Sequence, residues 1–273
     1  MTGQTKSVPT NHPPRGVHGC AADRWRQLQQ ARAVPPEILE AAEVSPWRHN
    51  PARFAAPAEP LNSPSRDAAL ALLSDDRGDG EPGAVLDVGC GGGLASIAVA
   101  DRAGELVGID HDPSMLEVFA ADCRARGIRF RTVLGEWPSV ADEAGSADAV
   151  LCHHVGYNTL DLTSFVVALT TAARRGVVME LTARHPMAWL DPLWARFHDV
   201  HRPEPATADD AIAVLAELGI TPSVTRWERP SLGPEDPVWI ARRLCLPSTR
   251  VDEVASALAD IPPRPCATVT LAW

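Results

Sequence analysis

The 273-residue chain has one lysine, Lys6, and one tyrosine, Tyr157, and none of its six cysteines forms a C-x-x-C pair. Each scarcity narrows the reading. Acidic side chains outnumber basic ones by 35 to 25, a net charge of −10, which argues against a phosphate backbone as the main partner. Because 24 of the basic residues are arginine in an alanine-rich chain, the arginines read as the codon bias of a GC-rich genome, and no single one points to phosphate. Without paired spacing, Cys20, Cys90, Cys123, Cys152, Cys245 and Cys266 read as free thiols of a reduced, cytoplasmic protein, not as a disulfide or zinc framework. No run of 18 apolar residues is free of charges and glycine clusters, which excludes a membrane-spanning helix. The opening MTGQTKSVPTNHPPRG lacks the apolar core of a signal peptide.

Proline is scarce in one place only. Of 25 prolines, ten lie in residues 1–64 and twelve in 186–265, while only Pro113 and Pro138 fall between 83 and 185. Proline interrupts helices and strand ladders, so the centre reads as regular structure and the flanks as turns and short helices. Residues 1–20, polar and proline-rich, read as disordered. Residues 21–63 read as a helical lid segment broken at Pro35-Pro36, and 64–273 as the main domain, with an aromatic-rich insert at about 185–206.

From residue 84 onward, strand and helix patterns alternate. Strands are expected at 84–89, 105–110, 128–133, 147–152, 176–181, 220–227 and 267–273. Helices are expected at 94–103, after Asp112-Pro113, from Asp161, from the Thr207–Asp210 cap to Gly219, and at 251–259. Apolar strands alternating with helices argue for a parallel sheet covered on both faces. Such a sheet binds ligands at the carboxyl ends of its strands, here just after residues 88, 110, 133, 152 and 181.

The strongest motif is VLDVGCGGGLASIAVA (85–100), a strand that turns through Gly89-Cys90-Gly91-Gly92-Gly93 straight into a helix. Glycines there permit a tight turn and let a ligand lie against bare backbone at a helix N-terminus. Dinucleotide-binding turns are built similarly, but Leu94 stands where the third glycine of G-x-G-x-x-G belongs, and Asp87 precedes the first glycine by two.

Residues 85–93 resemble motif I of the class I S-adenosylmethionine-dependent methyltransferases, and the resemblance continues in register. GIDHD (108–112), VLGEWP (133–138) and ADAVLCHHVGYNTLDL (147–162) are similar to the segments that follow strands two, three and four in that family. The implied fold is α/β: a doubly wound, Rossmann-like, seven-stranded sheet, mostly parallel with an antiparallel last strand, under a helical N-terminal lid. The implied cofactor is S-adenosylmethionine, leaving as S-adenosylhomocysteine. Its implied holders are the loop of Asp87, Gly89, Cys90, Gly91 and Gly93, with Asp87 reaching a cationic group through water. Asp110, next to His111, would take the ribose hydroxyls. Glu136 and the Trp137 backbone would hold adenine, and Cys152 and His153 would border the methionine end.

Methyl transfer from a sulfonium is an in-line displacement, which needs an aligned nucleophile and, for a hydroxyl, a base. The base candidates are His153, His154 and His185, and the substrate-side candidates are Tyr157, Asn158 and Trp189. A lid is expected from Trp47–Phe54 together with the insert at 185–203. The Asp/Asn-Pro-Pro-aromatic motif of base-flipping enzymes is replaced by CHHVGYN, which with the net charge favours a small-molecule O, N or C acceptor. His185, His198 and His201 with Glu180 match no ligand spacing, so no metal is expected. The other readings left open are a non-catalytic cofactor-binding or interaction protein of this fold, an NAD-dependent oxidoreductase and an RNA methyltransferase.

Overall fold

A computed structural model describes residues 20–47, 51–57, 59, 62–74, 83–229, 236–261 and 266–273. Seven strands, β1 Gly83–Val88, β2 Ala103–Asp110, β3 Phe130–Leu134, β4 Ala147–His153, β5 Ala173–Thr182, β6 Ser223–Arg229 and β7 Cys266–Ala272, form one sheet in the order β3-β2-β1-β4-β5-β7-β6. The first five pair in parallel, and β7 runs antiparallel to both of its neighbours, β5 and β6. Strand order reverses between β1 and β4, which opens a crevice at their carboxyl ends. The expected seven-stranded architecture is the one observed.

The helices are α1 Ala21–Ala31, α2 Pro36–Glu40, α3 Pro64–Leu73, α4 Leu94–Ile97, α5 Pro113–Ala125, α6 Ala141–Ala144, α7 Leu162–Ala172, α8 Asp191–His198, α9 Ala208–Glu217, α10 Pro237–Arg243 and α11 Val251–Ala259. Several of their starts are capped by side chains, at Asp112, Asp161 and Thr207 as expected. Ser63 accepts from the Arg66 N–H, Asp112 from Ser114 and Asp161 from Ser164, and Thr207 and Asp210 complete a reciprocal capping box. The expected helix at 94–103 stops after one turn. Val99 leaves helical backbone at φ −121° and buries its side chain, a 3₁₀ turn follows at Ala100–Arg102, and β2 begins at Ala103.

Successive strand residues face opposite sides of the sheet, and each side has its own apolar layer. Leu86, Val107, Val150 and Met179 pack beneath α7, α9 and Trp25 of α1. Val85, Leu106, Leu151 and Val178 pack with Leu73, Leu116 and Phe119 of α3 and α5. A third cluster stands apart: Val34, Leu190, Leu193, Trp194, Ile240, Leu244 and Val254 join α8, α10 and α11, with α2 alongside. This third cluster is a cover with a core of its own.

The N-terminal segment expected as one lid divides between the two bodies. Trp25 is fully buried against the sheet layer, and its indole N–H donates to the Thr159 carbonyl at 2.9 Å, so α1 belongs to the main domain. The stretch around α2 belongs to the cover. The expected disordered stretch 1–20 lies outside the described residues except Cys20, which caps α1. Among the described residues no helix is long and apolar enough to cross a membrane.

Candidate active site

The turn after β1 is shaped by left-handed backbone at Gly89, Gly91 and Gly93, with φ of 68°, 52° and 88°. Only glycine takes these values without strain. Asp87, 1% exposed, accepts from the Ser96 hydroxyl at 2.6 Å and its N–H at 3.3 Å. Burial pushes its carboxyl up to about 6. At the end of β2 the Asp110 carboxylate accepts from the Gly91 N–H and the Asp112 N–H, each at 2.9 Å. One side chain therefore fixes the glycine loop against the start of α5.

A cavity of about 1820 Å³ opens over these strand ends. It gathers most of the residues singled out in the sequence: Asp87, Gly89, Cys90, Gly91, Asp110, His111, Glu136, Trp137, His153, His154, Tyr157, Asn158, His185 and Trp189 all line it. Two expected members do not. Cys152 is fully buried in the sheet layer, and burial holds its thiol far above the usual range. Gly93 serves packing instead, since a Cβ there would stand 2.6 Å from the Phe119 ring. Cys90 lines the wall with its thiol likewise pushed up by burial, so it acts there as a small neutral surface. Trp137 donates its indole N–H to the Phe165 carbonyl at 3.2 Å, leaving Glu136 exposed at the rim.

The three histidines differ in what their nitrogens are free to do. His154 sits in left-handed backbone at φ 60°, with its N–H on the Glu180 carbonyl and its Nε2 held 2.8 Å from Glu180 Oε1 and 2.7 Å from Arg229. That ring is structural. His185 accepts the Met187 N–H on Nδ1 at 3.1 Å, which leaves the neutral ring its proton on Nε2 and makes it a donor, not a base. Burial, then the nearby Arg32, Arg202 and Arg243, lower it to about 4. His153 is different. Its Nδ1 faces Glu180 Oε2 at 3.9 Å, and its buried Nε2 has no hydrogen-bond partner. Burial lowers this ring to about 4 as well, against the pull of Glu180, so at neutral pH it carries an open lone pair.

Glu180, weighed in the sequence only as a companion of His185, His198 and His201 in a metal set, is a carboxylate inside the apolar run GVVMEL, a position where ionised groups require partners. Burial favours its neutral form, but the His154 hydrogen bond and the flanking charges outweigh this and hold it below the usual carboxylate range. Arg229 lies 3.8 Å away. Tyr157, edge-on to His185 at 5.3 Å, shares its hydroxyl with the Thr182 hydroxyl at 2.8 Å. Burial raises its phenol further from ionisation, so it fastens the loop after β4 to β5.

These values set an acid limit on stability. From about pH 6.5 down to 4, His153 and His185 stay neutral when folded but gain protons when unfolded. Each loses about 1.4 kcal/mol of stability per pH unit as pH falls. Asp87, raised from 3.8 to about 6, works in the opposite direction over most of that window. The net is one proton's slope, with stability falling toward acid. His153→Gln should flatten the curve between about pH 4 and 6, a result that denaturant melts at each pH would read directly.

Comparison with known proteins follows the same lines. Residues 85–176 match the family described as "Methyltransferase domain". Over that third of its length the chain carries a methyltransferase domain. It is 32% identical over 122 residues to a ubiquinone biosynthesis O-methyltransferase of Acinetobacter baumannii, covering 42% of this chain and 51% of that one. It is 31% identical over 124 residues to a ribosomal protein L11 methyltransferase of Dechloromonas aromatica, covering 42% of each. The chain thus spans about half the length of the curated relatives it matches. Magnesium protoporphyrin IX methyltransferase of Synechocystis, solved with S-adenosylhomocysteine bound, superposes with a TM-score of 0.50 over 76% of this chain and 80% of its own. At 16% identity that likeness is one of fold. The names of these three proteins differ in what they modify, and the family match lies within residues 85–176 of this chain.

The donor set fits S-adenosylmethionine. Asp110 offers acceptors for a diol, bare glycine backbone lies alongside, and the buried Asp87 carboxylate, whose partner among the described residues is Ser96, suits a cationic amine.

Proposed function

We propose that the protein transfers a methyl group from S-adenosylmethionine to an O, N or C atom of a small molecule by in-line displacement. One observation carries the reading: a single cavity joins the Asp87–Gly91 loop and Asp110 to the neutral His153. Asp110 would hold the ribose, Glu136 and the Trp137 N–H the adenine, and Asp87 the amino group. Bound there, the cofactor supplies an electrophilic methyl on a positively charged sulfur.

His153 Nε2 removes the acceptor's proton, and Glu180 faces the resulting imidazolium through Nδ1. His154 and Arg229 keep the Glu180 carboxylate in place. The cover excludes water, which would otherwise solvate the nucleophile. The free state of all six cysteines fits a reducing, cytoplasmic setting.

Calorimetry with S-adenosylhomocysteine and with NAD tests the cofactor assignment. The first should bind and the second should not. Asp110→Ala should weaken the first about 10- to 100-fold, because a charge-assisted hydrogen bond is lost. Binding of NAD alone would overturn the assignment, and unchanged affinity in the variant would remove Asp110 from it.

A further inference from the structure

The part of the cavity wall supplied by the cover carries a cation that no acidic side chain among the described residues neutralises. Arg243 ends α10 with its guanidinium 5.3 Å from the Trp239 ring centroid and 5.7 Å from that of Trp47. One terminal nitrogen donates to the Pro46 carbonyl at 2.9 Å, while Nε is buried without a partner. Two other arginines that line the cavity have carboxylate partners, Arg184 with Glu204 and Arg229 with Glu180, while Arg66 and Arg126 donate to backbone carbonyls. Arg243 forms no ion pair among the described residues. Arg32, close enough with Arg202 to influence the same His185 ring, has Asp191.

A desolvated guanidinium is costly until an anion meets it, and its planar fork suits a carboxylate. The surroundings complete the description. His185 presents Nε2–H as a donor near Arg243, and Trp189 and Met187 give the adjoining wall a flat, apolar character.

We propose that the methyl acceptor is an aromatic acid whose carboxylate pairs with Arg243 while its ring packs on the indole-lined wall. This rests on the reading that the cavity takes a methyl acceptor. Held at the carboxylate end by Arg243 and His185, the molecule directs its nucleophilic substituent inward, toward His153. The reaction neither consumes nor changes the carboxylate. Its role is orientation, and an acceptor of the same shape with an amide there leaves the guanidinium unpaired.

The test uses the full chain loaded with S-adenosylhomocysteine. Calorimetric titrations compare 3,4-dihydroxybenzoate and 3,4-dihydroxycinnamate with their amides, and with phenyl phosphate as a different anion. The acids should bind about 10- to 100-fold tighter than the amides. Arg243→Met should reduce that preference to less than about threefold, Arg243→Lys should keep part of it, and the affinity for S-adenosylhomocysteine should stay the same in both. Equal binding of acid and amide, no binding of either, phosphate in preference to carboxylate, or a preference that survives Arg243→Met would each overturn the proposal. Failure of the wild-type chain to bind S-adenosylhomocysteine would instead sink the methyltransferase reading on which it stands.

Discussion

His153→Gln should slow methyl transfer to a hydroxyl acceptor about 10²- to 10⁴-fold, the usual worth of a positioned base. The affinity for S-adenosylhomocysteine should be nearly unchanged. Of the three histidines brought to the cavity, His153 is the one with a buried ring nitrogen that has no hydrogen-bond partner among the described residues; His154 Nε2 is held between Glu180 and Arg229, and His185 Nδ1 has accepted the Met187 N–H, which leaves its Nε2 a donor. Glutamine preserves much of the volume and a polar terminus, so a loss in kcat with intact cofactor binding reads out proton transfer, not folding. The low basicity of the buried ring, about 4, is offset during transfer by the Glu180 carboxylate facing Nδ1. Glu180→Gln should therefore lower kcat in the same direction. Full activity of His153→Gln at every pH would remove this residue from the chemistry.

Gly92→Ala should loosen the cavity's outer edge. A Cβ at Gly92 would stand 2.0 Å from the Phe54 carbonyl oxygen, a backbone atom that cannot rotate away. The segment carrying Phe54 is pinned on its other side, where the Ala56 N–H donates to Asp122 at 2.8 Å and Arg126 donates to the carbonyls of Ala56 and Pro57. One methyl group must therefore either lift the turn at Pro51–Phe54 or distort the glycine loop. Overpacking of this kind costs about 1–3 kcal/mol. The expected result is a lower unfolding midpoint with faster amide exchange at residues 54–57, the strands keeping wild-type protection. Wild-type exchange and stability would mean that the turn does not rest on the loop.

The cofactor half was legible because its chemistry demands local sequence. A strand entering a glycine turn, a carboxylate at the next strand end and helix caps such as Asp112-Pro113 are short-range devices, and each reads off a few neighbouring letters. What escaped was long-range. Gly93 looks like a member of the ligand loop, yet its missing Cβ accommodates Phe119 from α5. Cys152 adjoins His153 in sequence but points into the opposite layer, because adjacent strand residues face opposite ways. The role of Glu180 required knowing that β4 and β5 are neighbours. The position of Arg243 was hidden differently: among 24 arginines nothing marked it, and α10 itself gave no periodic signal. Only the cover's assembly from segments nearly two hundred residues apart, Pro46 and Arg243 among them, brings it to the cavity.

The separate apolar core of the cover has a kinetic consequence. Neither α8, α10 nor α11 contributes a side chain to the two layers that sandwich the sheet, so they can swing or loosen as one cooperative piece while every strand ladder remains closed. Under the proposed function, acceptor entry and product escape would be governed by a low barrier local to that piece, and the persistence of the fold by a higher one. Substitutions that stiffen the cover should lengthen residence times without raising the melting temperature of the sheet.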